Sequence, residues 1–284
     1  MFVQMNVMET IQKRYSVRTY APQKVEENIK KKLRQFFTEY SPGPLGAAVR
    51  FKLLELGTVS PRELRSFGTY GMIRGAGLYI LAAVEDAAGS QLDLGYCLEK
   101  VVLEATALGL GTCWLGGTFR RSRFARWMEL AGDELLPVII PVGYPAEKKR
   151  LSEAILPSGS TGRRKPWPEL FFTGDAKTPL SEEEAGPYRS ALEAVRLAPS
   201  ALNGQPWRII KDGEGCYRLY LKENRLYNRT LGKLRLQHID MGIAMAHFEL
   251  VAREQALPGR WDPHAPALPH SGLEQVALWD TGSS

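Results

Sequence analysis

The chain has 284 residues, of which 44% are hydrophobic and 24% charged, the composition of a globular protein with one large or two ordinary domains. Its net charge of +6 is a modest excess that suits a polyanion, a membrane surface or a phosphorylated ligand without distinguishing among them. The three cysteines are too few and too far apart for a disulfide framework, so we expect a reducing, cytoplasmic setting.

Several familiar classes of protein are excluded. The longest apolar runs, at residues 77–84 and 135–142, are far shorter than the roughly 20 residues that span a bilayer, and the N-terminal stretch has no apolar signal core. No P-loop motif is present, and the histidines and cysteines never fall at zinc-ligand spacings. Gly109 and Gly111 lack the third glycine of a dinucleotide-binding loop, because Trp114 stands there. We therefore expect no membrane span, metal site or Rossmann domain.

Helix-like and strand-like stretches alternate in the first half of the chain. Residues 25–40 carry apolar side chains at helical spacing with charges opposite, which predicts a helix, and the turn residues at 41–46 end it. The elements predicted after this turn are a strand at 48–56, buried strands at 77–84 and 135–142, a long amphipathic helix at 92–110 and a basic helix at 122–130.

A change of composition separates this half from the next. Residues 151–188 are rich in glycine, proline, serine and charge, which is typical of a connection. A helix is predicted at 181–197, with acids in its first turn where they favour the helix dipole. Strands at 207–211 and 217–221 and a long helix at 238–256 follow. The expected fold class is α+β, with antiparallel sheets flanked by helices.

The two long helices share a pattern that indicates an internal repeat. At an offset of 147 residues (240 − 93), the matched pairs are Asp93 with Asp240, Gly95 with Gly242, Leu110 with Leu257 and Trp114 with Trp261. Unrelated amphipathic helices would share apolar periodicity, but not these Asp-x-Gly starts and tryptophans, so we favour duplication. The expected organisation is a tandem pseudo-dimer with a first half at 1–160, a connecting segment at 161–187 and a second half at 188–284.

Two segments of the first half concentrate hydrogen-bond donors. Arg14, Ser16 and Arg18 lie within five residues, and the rigid fork of arginine matches phosphate oxygens and the polar edges of heterocycles. An exposed basic N-terminus would explain them equally well. Residues 109–117 read GLGTCWLGG, whose glycines let a backbone approach a flat ligand. A glycine-capped helix running into a strand is the plain alternative, but Gly116 and Gly117 have no evident packing role, so we favour a ligand loop.

A third segment, at residues 198–207, reads APSALNGQPW. Turn chemistry explains its proline, serine, asparagine and glycine one at a time, but not the whole string. Together with R-x-S-x-R at 14–18, GLGTCWLGG at 109–117 and R-K-P-x-x-E at 164–169, this string resembles the FMN-dependent nitroreductase family. The four motifs span residues 14 to 207, most of the chain.

The order of the motifs departs from that of ordinary family members. In those proteins the APSxxNxQPW element follows R-x-S-x-R closely, whereas here SPGPLG at 41–46 stands in its place and the intact element lies in the second half. The second half has no R-x-S-x-R. This arrangement resembles the subgroup in which two nitroreductase-like units are fused, each half keeping motifs that the other has lost.

The resemblance implies a role for each motif residue, with FMN between the halves. Arg14, Ser16 and Arg18 would hold the phosphate, the ribityl chain and the pyrimidine edge, with Tyr15 beside them. The other implied contacts are backbone amides of Gly116 and Gly117 near flavin N5, Arg163 and Arg164 at the phosphate, and Pro199, Ser200, Ala201 and Asn203 on the far side. Gly162 stands where many relatives carry a second basic residue. Lys148, Lys149 and Arg150 are an alternative source of charge, although a solvated charge run also explains them.

The implied activity is a two-step oxidoreductase reaction in which NADH or NADPH reduces FMN and an electron-poor acceptor, such as a nitroaromatic or a quinone, then takes the electrons. No catalytic side chain is implied, because the cofactor carries the chemistry. The alternatives are a relative with different flavin chemistry, such as flavin fragmentation or reductive dehalogenation, and a flavin-binding protein without turnover. Nucleic-acid binding has no basic–aromatic pattern behind it. Because the dimer would be fused, we expect a monomer.

Overall fold

The computed structural model describes residues 6–58, 69, 71–147, 163–224, 232–268, 270 and 272–282. Its helices are α1 (Val7–Lys13), α2 (Glu27–Glu39), α3 (Ser90–Ala107), α4 (Arg121–Met128), α5 (Arg189–Leu197) and α6 (Leu236–Glu254). Its strands are β1 (Arg50–Glu55), β2 (Leu78–Glu85), β3 (Gly111–Thr112), β4 (Glu134–Gly143), β5 (Phe171–Thr173), β6 (Trp207–Lys211), β7 (Tyr217–Leu221), β8 (Arg260–Asp262) and β9 (Glu274–Asp280). Within these ranges, no helix has the length and apolarity needed to cross a bilayer.

The strands form two sheets with closely related orders. The first sheet has the order β1-β2-β4-β3, and the second has the order β5-β6-β7-β9-β8. Without β5, the second sheet repeats the order of the first, with β6, β7, β9 and β8 in the places of β1, β2, β4 and β3. The expected mixture of helices and sheets is therefore confirmed.

One strand departs from the expected antiparallel pairing. All strand pairs of the first sheet are antiparallel, but β5 pairs with β6 in parallel. The reason lies in the connection, because α5 lies between these two strands in the chain and a helical crossover returns the chain in the same direction. The segment expected to be only a connection thus contributes an edge strand to the second sheet.

The two long helices are buried rather than amphipathic, contrary to expectation. Nearly all residues of α3 and of α6 are buried, because the two helices pack against each other, against the shorter helices α1, α2 and α5, and against strands of both sheets. Hydrophobic residues from both halves form one continuous core around them. A helix surrounded in this way has no solvent-facing stripe, so helical periodicity alone does not reveal its position.

The helix predicted at 181–197 begins later than expected. A short 3-10 turn occupies Gly186–Tyr188, and α5 starts only at Arg189. Gly186 has a φ of +56°, and Pro187 disfavours a helical conformation in the residue before it. The acids at 182–184 therefore precede the helix instead of filling its first turn, and Glu182 pairs with Arg189 across the break.

Two glycines bring α3 and α6 into backbone contact. A Cβ on Gly95 would lie 2.1 Å from the carbonyl oxygen of Ile239, and a Cβ on Gly242 would lie 2.0 Å from that of Leu92. The contact is reciprocal: Gly95 packs against the residue three positions before Gly242, and Gly242 packs against the residue three positions before Gly95. This reciprocal contact is the kind that a two-fold axis produces between identical units.

The glycine contact predicts an unusual response to alanine. Alanine in a helix interior is normally favoured over glycine by about 1 kcal/mol. Gly95→Ala should instead destabilise the chain by about 1–3 kcal/mol, because the new methyl group forces the two backbones apart. Urea unfolding measures the change. Gly132→Ala is the control, because a Cβ there would meet nothing within 4 Å; equal stability of the two variants would contradict the close crossing.

Candidate functional site

A cavity of about 450 Å³ lies where the two halves meet. Eight of the predicted site residues line it: Ser16, Arg18, Gly116, Gly117, Pro199, Ser200, Ala201 and Asn203. The motifs that contribute them are separated by more than 80 residues at each step along the chain. The fold therefore brings together three segments that the sequence marks independently, although their roles in binding stay predictions.

The N-terminal motif reaches the cavity through pairing with β3. Ser16 forms a parallel bridge with Thr112, and the Val17 amide donates to the Thr112 carbonyl at 2.8 Å. A Cβ on Gly111 would lie 2.5 Å from a methyl carbon of Val17. Gly111 thus allows the motif to dock, so its role is in packing rather than in direct approach to a ligand. Arg14 ends α1 and is almost fully buried, and burial lowers the pKa of its guanidinium.

Gly116 and Gly117, which follow β3, have different roles. A Cβ on Gly116 would lie 2.9 Å from Cδ1 of Leu236, and its carbonyl accepts from Nη2 of Arg121 at 2.6 Å. The expectation that Gly116 has no packing role is therefore wrong, because α6 packs directly on it. A Cβ on Gly117 would meet nothing within 4 Å, so this glycine leaves open space at the cavity wall.

The loop at 198–206 has an unusual backbone that hydrogen bonds hold in place. Leu202, Asn203 and Gln205 all have φ values between 48° and 55°, a region that is unfavourable for side chains other than glycine. Oδ1 of Asp240 accepts from the Ala201 amide at 2.9 Å, and the Ser200 hydroxyl accepts from the Gln205 amide at 2.9 Å. Leu202 is 84% exposed on the cavity rim.

Arg164 joins the connecting segment to this loop. Its Nη1 donates to the carbonyl of Ala198 at 2.9 Å and to Oδ1 of Asn203 at 3.0 Å, while Nη2 donates to the carbonyl of Leu197 at 2.6 Å. These carbonyls lie at the C-terminal end of α5, where a cation is favoured. Burial, together with the positive charges of Arg14 and Arg196, lowers the pKa of Arg164 to about 10. Arg14 and Arg164 are therefore close enough to repel each other.

Four predicted residues, Arg14, Tyr15, Arg163 and Arg164, are absent from the cavity lining. Tyr15 is half-buried and lies outside the lining. Arg163 is exposed, and only its carbonyl contacts the loop, as an acceptor from the Asn203 amide group at 2.9 Å. The role of Arg163 at the phosphate stays a prediction. Lys148, Lys149, Arg150 and Gly162 lie outside the described residues.

Sequence reasoning missed the wall that α6 provides. Leu236, Ile239, Asp240 and Ile243 line the cavity from one face of this helix, and Met72 and Leu202 lie at its edge. The Asp-x-Gly pattern in the sequence includes Asp240, but it indicated only an internal repeat and not a cavity wall. A larger groove of about 610 Å³, over Lys165, Arg208 and Lys222, contains none of the predicted site residues, so we take the smaller cavity as the candidate site.

Asp240 and its repeat partner Asp93 bind their loops differently. Asp93 accepts from two amides, Leu45 at 3.0 Å and Ala47 at 2.8 Å, whereas Asp240 accepts from Ala201. Burial raises the pKa of Asp240 well above its usual 3.8, against the opposite effect of that one hydrogen bond. The raised pKa favours the neutral, protonated form of the Asp240 carboxyl group in the folded chain.

This protonation predicts a pH-dependent stability difference. Above about pH 4 the unfolded chain loses the Asp240 proton while the folded chain keeps it, so the free energy of unfolding falls by up to about 1.4 kcal/mol per pH unit until the raised pKa is passed. Asp240→Asn keeps an acceptor for the Ala201 amide. Because asparagine does not titrate, the variant does not lose stability in this way as the pH rises. Its stability relative to the parent, measured by urea unfolding, should therefore increase with pH. Asp93→Asn, which loses one of two amide bonds, should be less stable than the parent. A difference for Asp240→Asn that does not change with pH would contradict the assignment.

Comparisons with known proteins give the family. Among solved structures, one described as a "putative nitroreductase" from Thermotoga maritima is 24% identical and has a TM-score of 0.63 over 99% of this chain and 96% of that chain, which shows the fold. A nitroreductase family protein from Clostridium difficile 630 is 21% identical, with a TM-score of 0.43 over 53% of this chain and 96% of that chain. An "FMN-dependent Nitroreductase" from Clostridium difficile R20291 is 19% identical, with a TM-score of 0.42 over 51% of this chain and 92% of that chain.

No curated protein matches the chain. The family model described as "Putative TM nitroreductase" matches residues 6–252, and the chain therefore belongs to this family.

Proposed function

We propose that the chain is an FMN-dependent oxidoreductase that binds FMN in the cavity between its halves and uses NADH or NADPH as reductant. The observation that carries the proposal is the convergence of the 14–18, 116–117 and 199–203 segments on one cavity. Membership of the nitroreductase family supports the same reaction class. The volume of about 450 Å³ also falls within the range of small-molecule and cofactor sites.

The guanidinium groups of Arg14 and Arg164, although outside the cavity lining, are the ones that we propose for the phosphate of FMN. Arg14 is 2% exposed, and its charge contributes to the lowered pKa of Arg164. Like charges in a protein interior are unfavourable unless an anion balances them. Nε of Arg164 is buried and has no hydrogen-bond partner among the residues that the structure describes. A phosphate group would supply this acceptor, and it would add negative charge to that of Glu99, whose Oε1 lies 4.0 Å from Nε of Arg14.

The remaining walls suit a flat ring system. Leu115, Leu236, Ile239 and Ile243 present apolar side chains to the cavity, and Gly117 leaves its backbone uncovered. Apolar walls with a few polar groups are typical of cofactor sites. When bound, FMN supplies hydride-transfer chemistry. The residues of this chain bind it, orient it and exclude water, while the exposed rim leaves an approach for nicotinamide and for an electron-poor acceptor.

We further propose that the chain is a fused pseudo-dimer, divided as 1–160, 161–187 and 188–284. The related strand orders of the two sheets and the reciprocal contacts of Gly95 and Gly242 support this organisation. The SPGPLG loop also lies on Asp93 as the APSALN loop lies on Asp240. A fused pair of halves completes its own interface, so we propose that the chain works as a monomer.

Only one of the two repeat-related positions is suited to a flavin. The counterparts of Leu236 and Ile243 on α3 are Gly89 and Tyr96, at the same offset of 147 residues (236 − 89). Leu45 packs against Gly89, where a Cβ would lie 2.3 Å from its Cδ2. The Tyr96 ring is covered by Nζ of Lys100 at 4.0 Å. Side chains of the protein therefore fill the space that corresponds to the cavity.

A spectroscopic experiment tests the proposed activity. The purified chain is loaded with FMN, its absorption spectrum is recorded, and NADH or NADPH is added without oxygen. Bleaching of the flavin, followed by recovery when nitrofurazone or a quinone is added, supports the oxidoreductase. A bound flavin that neither nicotinamide reduces favours a binding protein without turnover, and a chain that binds no flavin contradicts the proposal.

Arg18, which lines the cavity, and Arg164, which holds the loop at 198–203, should dominate FMN affinity. Charge-assisted hydrogen bonds are worth about 1.5–3 kcal/mol each, so Arg18→Ala and Arg164→Ala should each weaken FMN roughly 10- to 150-fold. Quenching of flavin fluorescence measures the dissociation constants. Arg189→Ala removes the same charge from an exposed pair with Glu182 and should leave the affinity unchanged. If all three variants bind FMN like the parent, the assignment of the phosphate site is wrong.

The stoichiometry should be one FMN per chain. The donor motif occurs once, in the first half, and its complement occurs once, in the second half. Flavin absorbance against protein concentration measures the ratio, and light scattering measures the mass in solution. We expect a ratio near one at the monomer mass of 31.7 kDa. A ratio near two would contradict the single site, and a stable dimer mass would contradict the monomer.

A further inference from the structure

The groove of about 610 Å³ over Lys165, Arg208 and Lys222 lies next to the candidate site. Asn203 lines the cavity and Pro206 lines the groove. Because three successive residues span at most about 11 Å of chain, the loop at 198–206 forms part of the boundary of both. A ligand longer than this loop segment can therefore occupy the cavity and the groove together.

Three basic side chains from different segments line the groove. Lys165 precedes β5, Arg208 lies on β6 and Lys222 follows β7. The backbone amide of Lys222 donates to the carbonyl of Pro206 at 2.8 Å, which brings the end of β7 beside the start of β6. Trp207 is 0% exposed in the core, so the next residue, Arg208, points to the opposite face of the sheet.

Arg208 keeps hydrogen-bond donors for a ligand although it is only 7% exposed. Its Nη1 donates to the carbonyls of Gln205 at 3.2 Å and of Trp207 at 2.6 Å. The N–H groups on Nε and Nη2 have no acceptor among the residues that the structure describes. The exposed ammonium group of Lys222 also has none within those ranges. A fixed guanidinium fork with free donors matches the oxygens of a phosphate group.

The charged side chains of the groove influence one another. Burial lowers the pKa of Lys165, and the positive charges of Arg208 and Lys222 lower it further, against the opposite effect of Glu169. Neighbouring cations disfavour each other's charged form, and a bound anion favours it. Glu169 and Glu223 also line the groove. It therefore offers cations to a phosphate group and carboxylates to hydroxyl groups.

Phosphate and hydroxyl groups occur together on the adenosine ribose of NADPH. In dinucleotide-binding domains an arginine accommodates the 2′-phosphate, which NADH lacks, and an acid binds ribose hydroxyls. We propose that the groove binds the 2′-phosphate of NADPH through Arg208 and Lys222, while the nicotinamide enters the adjacent cavity. The chain therefore prefers NADPH to NADH. This preference rests on the proposed function, because the cavity is the one that we propose for FMN.

Reduction of nitrofurazone by the FMN-loaded chain measures the preference. The parent should have a kcat/KM for NADPH about tenfold or more above that for NADH. Arg208→Gln and Lys222→Glu should each lower this ratio about tenfold, mainly through the KM for NADPH, because a charge-assisted contact with the phosphate is lost. Lys31→Glu is the matched control, since Lys31 is an exposed lysine on α2 that lines neither the groove nor the cavity. A ratio that neither groove variant changes would overturn the proposal.

Binding of nucleotide fragments gives a readout that needs no turnover. Of two such fragments, 2′,5′-ADP carries the 2′-phosphate and AMP lacks it. In calorimetric titrations, 2′,5′-ADP should bind the parent about tenfold or more tightly than AMP, and Lys222→Glu should remove most of this difference. Equal affinity for the two nucleotides contradicts the assignment. Inorganic phosphate that binds as tightly as 2′,5′-ADP also contradicts it, because the groove would then recognise a free anion.

These two readouts fail independently of the proposed function. A chain that binds 2′,5′-ADP as expected but binds no flavin contradicts the proposed function and leaves the phosphate site in place. A chain whose flavin is reduced with equal kcat/KM by NADPH and NADH contradicts only the role of the groove. If Arg208→Gln does not fold, Lys222→Glu decides, because Lys222 is exposed.

Discussion

The crossing of α3 and α6 depends on two glycines whose missing side chains let the helix backbones touch. Gly95 rests on the carbonyl of Ile239, and Gly242 rests on that of Leu92, so neither helix can move without disturbing the other half. Both helices are therefore buried on nearly all sides, and the hydrophobic core runs through both halves without a break. The cavity exists because α6, held in this position, forms a wall opposite the N-terminal motif and the Gly116–Gly117 loop.

If the chain is the fused pseudo-dimer that we propose, the same crossing lets its two halves form one asymmetric site. On one side, Ala201 and the small residues around it leave space above Asp240. On the other side, Leu45 packs against Gly89, and Nζ of Lys100 lies 4.0 Å from the centre of the Tyr96 ring. The polar groups follow the same division, because Arg14, Glu99 and His247 meet only where the first half supplies the acid and the second supplies the imidazole.

Much of this site could be predicted from the sequence because its motifs are short and local. R-x-S-x-R, the glycine pair and APSALN each consist of neighbouring residues, and the fold places all three around the cavity. The positions of α3 and α6 could not be predicted in the same way, since burial on all sides removes the amphipathic pattern that periodicity detects. The parallel strand β5 was missed because it has only three residues in a segment rich in turn formers. The contact of Glu99 with His247 joins residues 148 positions apart, and nothing local in the sequence indicates it. Gly111 and Gly116 are the reverse case, because their composition suggested direct contact with a ligand while packing against Val17 and Leu236 accounts for them.

The central claim is that the two halves of one chain together form a single FMN site, and a crystal structure of the chain with FMN tests it most directly. The account predicts one flavin per chain in the cavity between the residues 14–18 and 199–203, with its phosphate against Arg14 and Arg164. A flavin bound elsewhere, or two flavins related by the internal repeat, would contradict it.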